Sequence, residues 1–359
     1  MSKKLLIGIG IVALIGIVLV GILWKGNFDG ANNVIRIGVI LPLTGDRAEY
    51  GRNALEAFQV AEQIYTSKLK ESRITVRFLV EDSKSTPQGA INAYQKIRIR
   101  HPDCNMVFTQ GSSIAGVLSD FTSKDHIIHI SNAGNAIPTK TNPYFFSCSI
   151  DEMSAAQMFN DALKDLGKCL VFYLDDDLGK TVYNEMQKLN EDKYVGIPFT
   201  HSTDSRDIVL KASCKQYAGV AVVGLGPNIV RIIRSMREFG YDGPIYGAET
   251  VLTEENKKLL SGLTNNLLCL TTTQLPIDVR NVFRKKFGRE VLSISSTTSY
   301  DAAVLMISAC VDSFTQTGKV SDVDQLKSIM TSKENINRAP CLKSIEHQMF
   351  KYNMEFLPL

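Results

Sequence analysis

Six loops of the 359-residue chain are rich in glycine, serine, asparagine and aspartate, and each follows a predicted strand. Loops of this kind offer backbone N–H groups at helix N-termini, and such groups suit an anion, for example a carboxylate. The pattern therefore predicts noncovalent capture of a small polar molecule. The loops span residues 41–51, 110–114, 131–138, 175–180, 224–228 and 247–251.

Two of these loops also approach known catalytic or cofactor motifs, and both depart from them. The run GSSIA, from Gly111 to Ala115, lies at a strand-to-helix turn like a serine hydrolase nucleophile elbow, but its last position breaks the G-x-S-x-G pattern. A triad there would need His201 or His347, both in weakly patterned stretches. The run GLGPNI at 224–229 lacks the third glycine of a dinucleotide loop. We predict a protein that is not an enzyme, and a serine hydrolase is the alternative from another class.

Metal and redox chemistry lack their sequence signatures. The seven cysteines form no C-x-x-C pair, and the five histidines form no H-E-x-x-H motif. Several cysteines lie inside apolar runs, where a thiol behaves as a small hydrophobic group. His126 and His129 flank an apolar strand and are interpreted as packing or surface residues. We expect no metal, no cofactor and no disulfide framework.

Alternating strands and helices must position the six loops. This alternation predicts parallel sheets with helices on both faces. About 330 residues follow the apolar N-terminal segment, too many for one small core, so we predict an α/β fold with two doubly wound lobes. The predicted strands are 34–41, 74–80, 106–109 and 126–130, then 169–174, 195–199, 219–223 and 244–246.

The N-terminal segment is a long apolar stretch without charge. Residues 5–24 carry no charge and are long enough to span about 30 Å of hydrocarbon as a helix. No small-x-small cleavage site follows them, so residues 1–25 are predicted to be a transmembrane signal anchor and 26–33 a linker. A cleaved signal peptide is the alternative. The predicted protein is single-pass in the cell membrane, with its body on the periplasmic or extracellular side.

The charge balance of the body argues against nucleic acid as a partner. Lys3, Lys4 and Lys25 flank the apolar segment; subtracting these 3 from 40 basic residues leaves 37, which equals the 37 acidic residues. A neutral body has no single-sign field to attract a polyanion. The expected partners are a small-molecule ligand, the membrane, and an ABC permease or other membrane protein.

Read in order, five segments resemble type I periplasmic binding proteins, in the branch that binds leucine and other branched-chain amino acids. The resemblance implies two lobes joined by three crossover strands, near 145–149, 271–274 and 338–342. Lobe 1 is then 34–147 plus 273–338, and lobe 2 is 148–272 plus 339–359. The segments are IGVILPLTGDRAEYGRNALEAFQVAEQIY (37–65), EDSKSTPQGAINAYQKI (81–97), GSSIAGVLSDFTSKDHIIHIS (111–131), REFGYDGPIYGAETV (237–251) and TTSYDAAVLMISAC (297–310).

The resemblance also implies which residues contact the ligand. By resemblance Ser112 contacts the ligand carboxylate, and a hydroxyl at a helix start beside free N–H groups suits this role; the alternative is a serine that caps its own helix. By resemblance Glu249 contacts the ligand amine, and a carboxylate in a closed site attracts a cation; the alternative is a surface glutamate. The implied site residues are Tyr50, Ser112, Ser113, Gly134, Asn135 and Glu249.

The chain departs from the family pattern in the second lobe. Leu178 stands where a cleft tyrosine is usual, and Leu225 and Gly226 replace another. The contacts to amine and carboxylate are expected to remain, while the side-chain pocket differs. We therefore expect an amino acid or related zwitterion other than leucine, bound for ABC-type transport; a membrane-anchored sensor of the same fold is the alternative.

Overall fold

The computed structural model describes residues 33–358, except 46, 135–136, 225, 253, 290–292 and 321. The predicted anchor at residues 1–25 lies outside the described residues. The first elements of the described chain alternate strictly between strand and helix. They are β1 Asn33–Leu41, α1 Ala48–Glu71, β2 Ile74–Asp82, α2 Pro87–Arg100, β3 Met106–Gln110, α3 Ser112–Lys124, β4 Ile128–Asn132, α4 Ile137–Thr141 and β5 Phe145–Ser147.

A second alternating series follows, and the chain closes with helices and three short strands. The second series is α5 Glu152–Leu163, β6 Cys169–Leu174, α6 Asp177–Leu189, β7 Tyr194–Phe199, α7 Ser205–Ala212, β8 Gly219–Val223, α8 Pro227–Glu238, β9 Ile245–Gly247, α9 Glu254–Leu259 and β10 Leu267–Thr272. The final elements are α10 Ile277–Phe287, α11 Ile294–Thr317, α12 Val323–Met330, α13 Lys333–Ile336, β11 Leu342–Glu346, β12 Met349–Tyr352 and β13 Met354–Pro358.

The described strands form two sheets, one for each lobe. The first has the order β11-β12-β5-β4-β3-β1-β2, and the second has the order β13-β10-β9-β8-β6-β7. Pairing is parallel except for β11 with β12 and β10 with β13. The eight predicted strands are all present, with bounds within two residues of the prediction. Buried apolar strands flanked by helices explain the agreement, because such strands read as continuous hydrophobic runs.

The chain passes between the sheets at three places. The first two lie after β5 and after β10, near the positions that the resemblance implied. The third differs: it falls at Asn353, between β12 in the first sheet and β13 in the second, not near 338–342. The expected boundary put all of 339–359 in lobe 2, whereas β11 and β12 pair within the first sheet.

A short hairpin accounts for this difference. His347 and Gln348 both adopt positive φ, 49° and 62°, between the two antiparallel strands β11 and β12. Two consecutive left-handed residues make the tight turn whose twist matches a hairpin. The hairpin then returns Phe350 and Tyr352 to the core of the first lobe, where both are buried.

Helix α11 forms the centre of the first lobe. By length and composition it is the one described helix that could cross a membrane, and 94% of its most apolar 18-residue window is buried inside the protein. A helix that is apolar all round is expected in a protein core as well as in a membrane. It packs beside α1, and Ala302, Ala303 and Met306 on it are fully buried.

Candidate functional site

The carboxyl ends of β1, β3 and β4 meet at one edge of the first sheet. These strands are parallel neighbours, so the loops that follow them lie side by side. The Gly111 N–H donates to the Asn132 carbonyl at 3.0 Å. This bond joins the loop that carries Ser112 and Ser113 to the loop that carries Gly134. Three of the predicted ligand residues are therefore brought to the same edge.

The Ser112 side chain does not cap its own helix. It is the first residue of α3, and the N-cap is Gly111, which has φ +102° and no side chain to cap the helix. The Ser112 hydroxyl is half-buried and has no hydrogen-bond partner among the described residues, while Ser113 is exposed. The alternative interpretation, a serine that caps its own helix, is therefore wrong. A free hydroxyl and the unpaired N–H groups of a helix N-terminus lie together at this position.

Hydrogen bonds to the start of α11 hold this edge of the first sheet in place. The Gln110 side-chain amide donates to the Ser295 hydroxyl at 3.3 Å, and the Ser295 hydroxyl reaches the Tyr50 carbonyl at 3.5 Å. The Asn132 side-chain amide donates to the Thr298 hydroxyl at 2.9 Å. Tyr50 itself is half-buried in α1. The start of α11 is thus hydrogen-bonded to β3, β4 and α1, the elements that carry or precede the predicted ligand residues.

Asp82 holds the first loop in place. Its carboxylate accepts the Leu43 N–H at 2.9 Å, the Lys84 N–H at 2.7 Å and the Thr44 hydroxyl at 2.6 Å. Burial alone would raise the pKa of Asp82, but these hydrogen bonds outweigh it and lower that pKa below its usual value. The loop before α1 is therefore anchored to the end of β2.

Two charged side chains that the sequence did not single out lie against glycines of this edge. A Cβ on Gly111 would lie 3.7 Å from Arg47 Nη1, and a Cβ on Gly134 would lie 2.9 Å from Glu152 Oε1. Arg47 is exposed and Glu152 is half-buried. Burial raises the pKa of Glu152, and the neighbouring Asp151 raises it further. A cation inside a glycine-rich loop was the available signal for Arg47; Glu152 reads from sequence only as an acid in the first turn of a helix.

The second lobe contributes less to the described site. Asn135 lies outside the described residues, as does Leu225. Glu249 begins a short turn, Glu249–Leu252, that follows β9 at the equivalent edge of the second sheet, and its side chain lies outside the described part. Leu178 packs against the core between α5, α6 and β6. A Cβ on Gly226 would lie 3.2 Å from His201 Cε1, so an imidazole occupies the space beside this glycine.

The serine hydrolase arrangement is not assembled among the described residues. His201 lies beside Gly226 of the second lobe, and His347 lies in the exposed turn between β11 and β12. Neither contacts the Ser112 hydroxyl. His129 is fully buried within β4 and His126 is exposed, which confirms their interpretation as packing and surface residues. All seven cysteines are buried and free.

A cavity of about 350 Å³ lies elsewhere, in the second lobe. Its walls come from the C-terminal ends of α7 and α8, which lead into β8 and β9. It therefore lies at the amino ends of these strands, opposite the edge where ligands of open α/β sheets bind. Its lining is mainly apolar and includes Val209, Met236 and Phe239.

Comparison with known proteins gives one family. A family model described as periplasmic binding protein matches residues 34–349. An uncharacterised protein of Methanocaldococcus jannaschii is 22% identical over 335 residues, which cover 84% of this chain and 78% of the relative.

Three solved structures show the same fold at low sequence identity. The substrate-binding protein of the branched-chain amino acid transporter of Streptococcus pneumoniae, in complex with isoleucine, has a TM-score of 0.76 and 16% identity over 91% of this chain and 96% of that one. A leucine-binding protein from Thermotoga maritima has a TM-score of 0.72 and 19% identity, covering 90% and 94%. An ABC transporter solute-binding protein from Rhodopseudomonas palustris, in complex with 3,4-dihydroxybenzoic acid, has a TM-score of 0.71 and 14% identity, covering 90% and 92%.

Proposed function

Because the chain belongs to the periplasmic binding protein family, we propose that it captures a small zwitterion, an amino acid or a close relative, between its two lobes and catalyses no reaction. The observation that carries this proposal is the Ser112 hydroxyl, which lies at the N-terminus of α3 beside the Gly134 loop and has no hydrogen-bond partner among the described residues. A carboxylate placed there would accept hydrogen bonds from the hydroxyl and from the unpaired N–H groups. Glu249, at the matching edge of the other sheet, would bind the ligand amine.

The ligands of the similar structures share one group. Isoleucine and 3,4-dihydroxybenzoic acid are both carboxylic acids, although only the first carries an amine. A carboxylate is therefore the part of the ligand that the proposal depends on most. Leu178 packs into the second-lobe core and Gly226 has no side chain, so the pocket for the rest of the ligand differs from one walled by tyrosines. This difference supports a ligand other than leucine.

The same proposal includes transport. The body is extracytoplasmic, delivers its ligand to an ABC permease, and stays attached to the membrane through residues 5–24. Lobe 1 consists of residues 34–147 and 273–352, and lobe 2 of 148–272 and 354–358, following the strand pairing. N-terminal sequencing of the protein isolated from membranes tests the attachment. A new N-terminus between residues 26 and 33 would contradict it.

A thermal-shift screen of amino acids and related metabolites tests the ligand. A compound that binds only the folded protein should raise the melting temperature clearly once its concentration exceeds the dissociation constant about 100-fold. Ser112→Ala and Glu249→Gln should each weaken the hit by about 1–3 kcal/mol, because each leaves a charged ligand group without its partner. Ser328→Ala, at an exposed position of α12, is the control and should leave the affinity unchanged. A screen without any amino-acid hit would refute the proposal.

A further inference from the structure

Two glycines at the edge of the first sheet each face a charged group from another element. Arg47, just before α1, points its guanidinium at Gly111, with 3.7 Å between Nη1 and the position of a Gly111 Cβ. Glu152, in the first turn of α5, points its carboxylate at Gly134, with 2.9 Å between Oε1 and the position of a Gly134 Cβ. The absence of side chains at these two glycines leaves room for opposite charges beside two loops that the Gly111–Asn132 hydrogen bond joins.

Neither charge is neutralised within the described part of the chain. Arg47 has no ion pair there, and Glu152 has none. The two do not pair with each other, since no nitrogen–oxygen distance between them is within 4.0 Å. The adjacent acid contrasts with this: Asp151 binds Lys351 at 2.9 Å and also caps α5 through Ser154. The N-terminal acids of α5 therefore differ, because Asp151 is paired with a lysine and Glu152 has no ion pair among the described residues.

We propose that Arg47 binds the carboxylate of the ligand and that Glu152 binds its ammonium group. Gly134 is two residues beyond Asn132, which places it at most about 7 Å along the chain from the residue bonded to Gly111. A molecule that carries both charges on adjacent carbons can span this distance, because each charged contact adds about 3 Å. The guanidinium adds a planar pair of donors to the N–H groups of α3.

This assignment rests on the proposed function and deepens it. An ammonium group has several donors, so Glu152 from the start of lobe 2 and Glu249 from its sheet edge can both accept from it. Burial already raises the pKa of Glu152, and a bound ammonium would favour its charged form instead. The site then selects an α-amino acid over an aromatic acid, which offers nothing to Glu152.

The test uses the purified full chain with the amino acid that raises the melting temperature most. Arg47→Gln and Glu152→Gln should each weaken binding about 10-fold or more by calorimetry, while Arg47→Lys and Glu152→Asp keep most of the affinity. Without ligand, the melting temperatures of all four variants should match the parent protein, because neither side chain has an ion pair within the described part of the chain. Arg52→Gln, an exposed arginine of the same helix start, is the control.

Analogues that lack one charge identify which group each residue contacts. For the matching amine, which has no carboxylate, Arg47→Gln should cause no further loss; for the matching carboxylic acid, Glu152→Gln should cause none. Equal losses for all compounds, unchanged affinity for the amino acid, or a lower melting temperature without ligand would overturn the assignment. If the parent protein binds no amino acid at all, the proposed function itself fails, which is a separate result.

Discussion

Acid should destabilise the first lobe through His129. This side chain is fully buried in β4, where its Nε2 lies 2.8 Å from the Thr109 hydroxyl and its Nδ1 lies 3.3 Å from the Thr122 hydroxyl. No described carboxylate contacts the ring, and burial lowers the pKa of His129 from its usual 6.5 to about 3. The folded protein therefore keeps this imidazole neutral at a pH where the unfolded chain charges it.

The size of the effect follows from this difference in pKa. Above pH 6.5 the imidazole is neutral in both states and the stability is fully present. Below it the unfolded state binds a proton that the folded state does not, so the free energy of unfolding falls by about 1.4 kcal/mol per pH unit. Between pH 6.5 and pH 5 the loss due to His129 is then about 2 kcal/mol.

Urea denaturation at pH 7 and pH 5 measures this loss. His129→Gln removes the titrating group but keeps a polar side chain within reach of both threonines, so the fall in unfolding free energy should shrink by about 2 kcal/mol relative to the parent. His126→Gln, at an exposed position three residues earlier, is the matched control. The reasoning is refuted if the parent and His129→Gln lose the same stability between the two pH values.

Three further predictions concern other parts of the molecule. Asp301 is fully buried, and burial raises its pKa well above the usual value, so its contribution to stability is present at low pH and lost as the pH rises. Asp301→Asn should remove this loss, which is measured by denaturation at pH 5 and at pH 8. Gly51→Ala should destabilise by about 1–3 kcal/mol, because its Cβ would lie 2.2 Å from the Pro42 carbonyl oxygen, whereas Gly116→Ala meets nothing within 4 Å and should be neutral or slightly stabilising in thermal melts. The lowered pKa of Asp82 means that Asp82→Asn should reduce the melting temperature at pH 7 more than at pH 3 in calorimetry, and equal reductions would contradict this.

The strands and the loops that follow them were predictable, because a hydrophobic run bounded by polar loops is a local sequence signal for a buried strand. The fold family was also predictable, from five short segments in sequence order, and the comparisons confirm it. The final hairpin was not predictable in the same way. Its strands are four and five residues long, and the choice of sheet depends on where Phe350 and Tyr352 find room in a core built by distant segments.

In the candidate site, too, local features were predictable from sequence and contacts between distant residues were not. The position of Ser112 at a strand-to-helix turn is a local feature, and the structure places it there, with no partner for its hydroxyl in the described part of the chain. The approach of Arg47 to Gly111 and of Glu152 to Gly134 joins residues that are 64 and 18 positions apart, and depends on side-chain direction across elements. Sequence alone gives no measure of such an approach. The anchor at residues 5–24 and the ligand roles of all six implied site residues stay predictions.

Closure of the two lobes around a ligand tests the central claim most directly. Gln88, at the start of α2, and Ser202, after β7, are exposed at the ligand-side edges of the two sheets, and the seven native cysteines are buried, so cysteines introduced at these two positions can carry spin labels selectively. The distance between the labels is measured by pulsed electron paramagnetic resonance with and without a saturating mixture of the standard amino acids. A clamp that binds one of them between its lobes should shift the distance distribution to shorter values, because the ligand stabilises the closed form. A distribution that is unchanged by the mixture would contradict the account.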